Sequence, residues 1–553
     1  MSPHVLSGTD RFYAGPIDLI PDVWIMIMSY LSTPDLIVLS KTCITLQRYS
    51  QLRHVWFNAL RQHRFLSASY PHLLNSPTEV IRRQLVTTTC LDAAYSQSLL
   101  VPVKTHSFPL EFQGVFQGLR WLSGGDWLVL LFHSRTLNPE RHSNLWLIKP
   151  DITTGVSTSV PPTVPASLQS EWCWLPITEK DGPYLSSRGD NLLLLHTYAH
   201  NVLSEVVSLH RRTFGICILD TKTPSVDIKL TVETNIFVRN YVAAGDYFAY
   251  GWTVTKANGS ERRHLVRIMK LNEDYSGLLQ DVTVEIDCPP GHTGKLRIKY
   301  DLRLAGNVPR LFLVSARLMA AYDIPDANAS STSDGIPRLS PVWMYVPEEG
   351  HLSFGKILRI FTEGAIVTLR DGKTRYIVPD IHSTNRQLNS QTTVVYSVNL
   401  LDSIFLQHRR ENLSWPAVFD SQRAFWPVKL SSPRSGNSEQ ASLCHIDSPT
   451  TSSGRRTMIE TAMIPPPCNE FGECVVRRLF IDYRNSTEEH DLSSPQYHPI
   501  GMRATRAKPV TAIVQDWDEL SARLCVRYMK SVNYTRSQGL AQTSMRVVVM
   551  HIV

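Results

Sequence analysis

The chain has 553 residues, of which 43% are hydrophobic and 19% charged, and its formal net charge is +7. That length exceeds one ordinary hydrophobic core, and that composition excludes a disordered tail, so a multi-domain globular protein is expected. The basic residues are scattered. The doublets Arg211-Arg212, Arg262-Arg263, Arg409-Arg410 and Arg477-Arg478 lead into strand-like sequence rather than one basic element, which argues against a nucleic-acid partner.

The nine cysteines form no CxxC pair, and Cys468 and Cys474, six apart, match no common zinc signature. Free thiols in a reducing compartment, with no metal and no cofactor, are the expectation. The start of the chain shows no basic-then-apolar leader, and Asp and Pro interrupt its longest apolar run, so no membrane-spanning helix is expected. A cytoplasmic or nuclear location, or both, follows. The sequons at Asn258 and Asn485 then carry no meaning.

In chain order, a flexible terminus over 1–15 gives way to "LIPDVWIMIMSYLSTPDLIVLSKTCITL", which is apolar almost all round. Pro21 suits the first turn of a helix, where its missing N–H costs nothing. Val23, Ile27, Tyr30 and Leu31 share one face, and Trp24 and Met28 another. Thr33 is placed to cap a second helix, with Pro34 at its first position and Asp35 near its positive end. Leu36, Leu39 and Cys43 form its buried stripe, which would leave Cys43 inert. A third helical region carries Leu52, Trp56 and Leu60 at i, i+4, i+8. Three short helices cannot bury every apolar side of the first one. Its outer face must pack on the following domain or dock on another protein.

These residues carry a resemblance. The order Ile20-Pro21-Asp22, then Val23, Ile27 and Leu31, then Leu36, Leu39 and Cys43, and finally Trp56 resembles an F-box over residues 16–64. Ile20 replaces the family's usual Leu. The resemblance implies a docking module for the S-phase-kinase-associated adaptor, which links F-box proteins to a cullin scaffold and a RING subunit. It places Ile20, Pro21, Val23, Trp24, Ile27, Leu31, Leu36 and Leu39 in or beneath the adaptor-binding surface.

A polar, partly helical connector is read over 65–106, with a helix start at Ser76, Pro77 and Glu79. From 107 onward short apolar runs broken by Gly, Pro and Asp read as strands. A Gly-Asp pair before an apolar run appears at Gly125-Asp126, Gly189-Asp190 and Gly245-Asp246, 64 and 56 residues apart. Weaker copies begin at Ala305 and Thr362. Each is followed by a second run: "NLWLIKPD", "FGICILDT", "LVRIMKLN", "MAAYDIPD" and "RYIVPDI". A unit of about 60 residues that cannot bury its own sheet face alone can do so when stacked radially. Residues 107–553 are therefore expected to form a degenerate β-propeller of about six to eight blades. The terminal "MRVVVMHIV" is expected to pair with an early strand and close the ring. Each Gly-Asp pair should occupy an equivalent turn, with Gly at positive φ and Asp bonding its own backbone. The sequence Asp516-Trp517-Asp518 is placed at a turn. Residues 431–457 are too rich in Ser, Thr, Pro and Gly to order themselves, and a smaller loop of the same kind begins at 327.

No HExxH, GxSxG, GxGxxG or phosphate-loop motif occurs. His196 and His200 are four apart, a spacing that suits one face of a helix, but they lie in "LLLLHTYAH", which reads as strand, so no metal site is expected. The expectation is a non-enzyme: an adaptor-binding substrate receptor of a cullin-RING ubiquitin ligase, holding an unknown protein substrate on its β-propeller, with neither membrane nor nucleic acid as partner. Two other readings stand beside it. One is an F-box scaffold outside any ligase; the other is a propeller enzyme with packed N-terminal helices.

Overall fold

In the computed structural model the described residues are 20–134, apart from 64–65, 68–69 and 96–98, and the strands and most short turns between 142 and 553. The longest segments outside that description are 1–19, 346–364, 429–456 and 482–511. The Ser-rich stretch 431–457 lies almost wholly among them.

Four short helices open the described chain: α1 (Pro21–Tyr30), α2 (Thr33–Ser40), α3 (Ile44–Ser50) and α4 (Arg53–Gln62). Pro21 begins α1, as its fixed φ favours. The cap of α2 is Ser32 rather than Thr33: the Ser32 hydroxyl accepts from the Asp35 N–H, and Thr33 is the first helical residue, buried. The expected third helix is two. The chain turns at Gln51-Leu52, so Leu52 caps α4 and is exposed instead of heading a stripe. Trp56 and Leu60 are buried, joined by Val55 and Ala59. Trp56 also donates its indole N–H to the Ser50 carbonyl, which fixes α3 against α4. Cys43 is only half-buried and caps α3, so its place is not on an apolar stripe of α2.

A 3-10 turn (Pro71–Asn75) and a long helix (Thr78–Tyr95) follow. Arg53 ties α4 to this segment by donating to the carbonyls of Ser76 and Leu74, at 2.5 and 3.0 Å. Strands Leu99–Leu100 and Lys104–Gln113 then lead into the β region.

That region holds seven sheets of four or five strands among the described residues. The first comprises Val115–Trp121, Leu128–Ser134, His142–Pro150 and Ser157–Val160. The second comprises Cys173–Trp174, Tyr184–Leu185, Asn191–His200, His210–Asp220 and Ser225–Thr234. The third runs through Asn240–Ala244, Tyr247–Thr255, Arg262–Leu271 and Leu278–Ile286, and the fourth through Lys299–Ala305, Val308–Ser315, Leu318–Asp323 and Trp343–Tyr345. The fifth spans Ala365–Thr368 to Phe405–Glu411, the sixth Val418–Asp420 to Arg477–Ile481, and the seventh Ala512–Asp518, Arg523–Thr535 and Leu540–His551. Apart from two short parallel additions the sheets are antiparallel, and first strands of several neighbouring sheets meet. Ala512–Asp518 touches Val115–Trp121, Asn240–Ala244 touches Lys299–Ala305, and Val418–Asp420 touches Ala512–Asp518. First strands inside and fourth strands outside is propeller-like order.

The seventh sheet takes its outer strand from the beginning of the chain. Lys104–Gln113 pairs antiparallel with Leu540–His551 over its whole length, Lys104 opposite His551 and Gln113 opposite Gln542. The expected closure by the terminal strand is thus present, and it covers an edge that would otherwise be free. Just before it, Leu99–Leu100 adds a parallel outer strand to the sixth sheet. A similar parallel addition pairs Arg338–Leu339 with Leu278–Ile286, and the stretch read as a loop from 327 lies outside the described residues up to 335.

The three Gly-Asp pairs do occupy equivalent turns, between the first and second strands of the first three sheets or, in the second, between Leu185 and Asn191. Gly125, Gly189 and Gly245 have φ of 67°, 93° and 56°. The copy at Ala305 falls at the same hairpin of the fourth sheet, where Ala305 pairs with Val308. The copy at Thr362 is out of phase, because its apolar run "AIVT" is the first strand of the fifth sheet, not the second. Asp516-Trp517-Asp518 is not a turn but the end of a first strand, with Trp517 buried.

Candidate functional site

The eight sequence-predicted residues separate by depth. Trp24 and Leu36 are buried, and they share a core with Met28, Leu46, Val55 and Trp56. Val23, Ile27, Leu31 and Leu39 are half-buried. Ile20 and Pro21 are exposed, Ile20 at 66%. The buried pair therefore lies in the helical core, and the other six reach its surface.

Four further apolar side chains of these helices, outside the predicted set, are exposed. Met26, Tyr30, Val38 and Ile44 are exposed at 56%, 79%, 65% and 65%. Tyr30 had been placed on a helical face, but nothing in the local pattern marks Ile44 as outward. Its exposure follows from the break between α2 and α3. Monomer surfaces carry single apolar residues freely. Here five large ones fall within 25 consecutive residues on three short helices, which is the pattern of a covered surface.

The module is held rigidly beneath that surface. Gln62 donates to the Ser29 carbonyl at 2.6 Å, joining the end of α4 to the end of α1. The Arg82 guanidinium lies 5.9 Å from the Trp56 ring centre. One member of the helical core comes from far along the chain: Leu520, in the turn between the first two strands of the seventh sheet, is 3% exposed and packs with Leu73, Ile81 and Leu85. On the second sheet Gly189 approaches the His72 ring so closely that a Cβ there would lie 3.2 Å from it. The end of the long helix, Leu91 and Tyr95, packs with Trp517, Leu524, Val548 and Met550. Helices and ring thus share apolar cores at the ring face that carries the first hairpin turns.

The turns at this face reach across to each other. The Tyr275 hydroxyl, in the third sheet, donates to Asp190 Oδ2 at 2.7 Å and lies 2.7 Å from Ser186 Oγ. Arg523 of the seventh sheet donates to the Gly125 carbonyl of the first and lies 3.5 Å from Asp126. Asp126 and Asp190 therefore bind a neighbouring sheet rather than their own backbone. The glycine already supplies the turn, which leaves the carboxylate free to point outward. Asp516 completes the seam, accepting from the Trp121 N–H at 2.6 Å and from Arg120 at 3.2 Å.

Among the described residues no group of His, Cys, Asp and Glu is arranged to hold a metal ion, and no helix is long and apolar enough to cross a membrane. His196 and His200 lie on a strand, as read from the sequence.

Residues 17–58 match the F-box domain family. The chain carries an F-box domain followed by a β-rich, propeller-like region. F-box domains generally bind S-phase-kinase-associated adaptors in cullin-RING ligases. No curated protein matches the chain in sequence. Among solved structures, it is similar to the WD40 domain of SCAP from fission yeast, with 10% identity, 79% of this chain and 82% of that one covered, and a TM-score of 0.33. It is also similar to the polysaccharide lyase Uly1, with 10% identity, 82% and 100% covered, and a TM-score of 0.35. The major Malassezia sympodialis allergen Mala s 1 gives 9% identity, 53% and 90% covered, and a TM-score of 0.22. Likenesses of this size carry no functional argument, and the propeller-like order rests on the strand pairings themselves.

Proposed function

We propose that this chain is the adaptor-binding, substrate-recognition subunit of an SCF-type cullin-RING ubiquitin ligase, and that its propeller-like region holds the protein substrate. The observation that carries the reading is the F-box at 17–58 with an apolar rim, Ile20, Met26, Tyr30, Val38 and Ile44, left uncovered over a tightly packed core. In this reading the chain does no chemistry of its own. It acts inside the cell, and it promotes degradation by bringing a bound protein to the ligase.

The test is retention of adaptor and cullin by the purified chain. The double variant Ile20→Ala, Pro21→Ala removes exposed groups that take no part in the shared core. Loss of interface anchors of this kind costs about 2 kcal/mol or more, roughly thirtyfold in affinity. The variant should release the adaptor while the melting of the β region stays put. Adaptor and cullin retained at wild-type level would remove the reading. Proteins that accumulate on the chain under proteasome inhibition, and whose turnover depends on Ile20, would identify the substrate.

A further inference from the structure

The sequence marks Ser76, Pro77 and Glu79 as a helix start, and the structure uses the serine differently. Ser76 joins the 3-10 turn to the long helix in an extended conformation, with φ of −74° and ψ of 158°. A residue before proline favours that region. Its hydroxyl turns back and donates to the His72 carbonyl at 3.1 Å. Ser76 is half-buried, while Asn75 and Pro77 on either side of it are exposed. Giving up that one bond frees the hydroxyl.

The cation beside it is Arg53, the first residue of α4. Its guanidinium donates to the Ser76 carbonyl at 2.5 Å and to the Leu74 carbonyl at 3.0 Å. The same guanidinium lies 5.8 Å from the Phe57 ring centre. Among the described residues no carboxylate pairs with it. Between Lys41 and Arg64 the sequence carries no aspartate or glutamate. Glu79, the next carboxylate along the chain, is turned to Arg82, 3.6 Å away. An arginine fork held at the main chain of a serine, and not spent on a carboxylate, is placed to receive a phosphate on that serine.

The other hydroxyl residues that precede proline among the described residues lack this setting. Thr33 is buried at the head of α2. Thr223 donates to Asp220 Oδ2 at 2.7 Å, and that carboxylate would repel a phosphate. Ser340 is exposed, but nearby Arg338 is taken by Asp287 at 2.6 Å.

We propose that Ser76 is a phosphorylation site for a proline-directed serine kinase, and that Arg53 holds the phosphate. In the transfer, Ser76 Oγ attacks the γ-phosphorus of ATP. The Oγ–P bond forms as the bond from that phosphorus to the bridging oxygen of ADP breaks. The hydroxyl proton passes to the base of the kinase, and ADP leaves. Arg53 already ties α4 to the segment before the long helix, and the phosphate adds charge-assisted bonds to that tie. The site stands independently of the receptor reading. Only its consequence for how firmly the adaptor surface is held to the ring rests on that reading.

The full chain and its Ser76→Ala, Arg53→Gln and Arg53→Lys variants would be incubated with ATP and a purified proline-directed kinase, and phosphate mapped by mass spectrometry. Other serines before proline, such as Ser432 and Ser448, are candidates for the same enzyme. Treated Ser76→Ala is therefore the control, since it differs from treated wild type at one position. Wild type should carry phosphate at Ser76, and hydrogen exchange in α4 should then be roughly tenfold slower than in treated Ser76→Ala. Arg53→Gln should take the phosphate without the slowing. Arg53→Lys, which keeps the charge and loses the fork, should show part of it. No phosphate at Ser76, under conditions that fully modify a Ser-Pro control peptide, would overturn the site. Equal slowing in wild type and in both Arg53 variants would overturn the pairing. None of these readouts uses the adaptor, so they succeed or fail separately from the F-box reading.

Discussion

At the scale of single residues, the first hairpin of the ring shows how backbone and packing demands coincide. Gly125 has φ of 67°, and a Cβ there would overlap the Ser521 hydroxyl of the seventh sheet. Gly124 beside it has φ of 92° with open space around it. A left-handed non-glycine residue costs about 1–2 kcal/mol. Gly124→Ala should therefore lose about that much, and Gly125→Ala clearly more, in urea unfolding of the two variants. Equal losses would mean that the seam is soft. Asp518 gives a pH-dependent counterpart. Burial pushes its carboxyl up to about 6, Asp516 adds to the rise, and the Ser521 hydroxyl and N–H oppose it. A folded value above the unfolded one means that stability is greatest with the proton on, and is lost as pH rises from about 4 through about 6. The loss is on the order of 2–3 kcal/mol at neutral pH. Asp518→Asn should match wild type near pH 4 and gain on it up to pH 6.5, levelling off above. A difference that does not change with pH would refute the assignment.

At the scale of elements, two attachments decide whether the helices are a separate unit. Leu520 enters the helical core from the ring, and truncating a buried Leu typically costs about 2–5 kcal/mol. Leu520→Ala should speed hydrogen exchange in α4 and in Thr78–Tyr95, although neither helix is mutated. The second attachment is the closing pair, Lys104–Gln113 on Leu540–His551. Its alternating burial, Phe108, Leu110 and Phe112 inward, gives it one register only. A chain starting at Gly114 should expose the Leu540–His551 edge and run as aggregate on size exclusion. Much of this was legible in the sequence. Positive-φ glycines, the proline at the head of α1 and the alternation of the terminal strand are local signals. The turn at Gln51-Leu52 was not legible, because Leu52, Trp56 and Leu60 fit one continuous helix as well as two. Nor was Ser32 as a cap, since Ser32 and Thr33 offer the same hydroxyl and only the chain direction selects one.

For the whole molecule, the sharing of cores argues against two independent domains. The sequence left two readings for the outer face of the first helix, packing on the following domain or docking on another protein, and a ring core separate from the helices fits only the second. That separation holds for exposed positions such as Ile20 and Pro21, but not for the inner layer. Trp56 and Leu36 belong to the cluster that contains Leu520, and the long helix continues into the core of the seventh sheet. Leu36→Ala should therefore lower the unfolding temperature recorded from helices and from strands together. Separate transitions would show the seating to be weak. The arrangement also has a functional sense under the proposed role, since a substrate held on the ring would keep a set orientation to the adaptor.

What the sequence determined by itself is the set of features that depend on neighbours along the chain: a helical F-box, hairpins with glycine at the turn in the first three sheets, and a strand free to close the ring. Helix starts and hairpin turns are set by a few adjacent dihedrals and side chains, and those are written in order. What only the tertiary structure decided is which apolar side chains remain outside, that Leu520 belongs to the helices, and that Asp126 and Asp190 reach other sheets. Each of those depends on residues tens to hundreds of positions apart being brought to one place, and no local pattern encodes the distance between them.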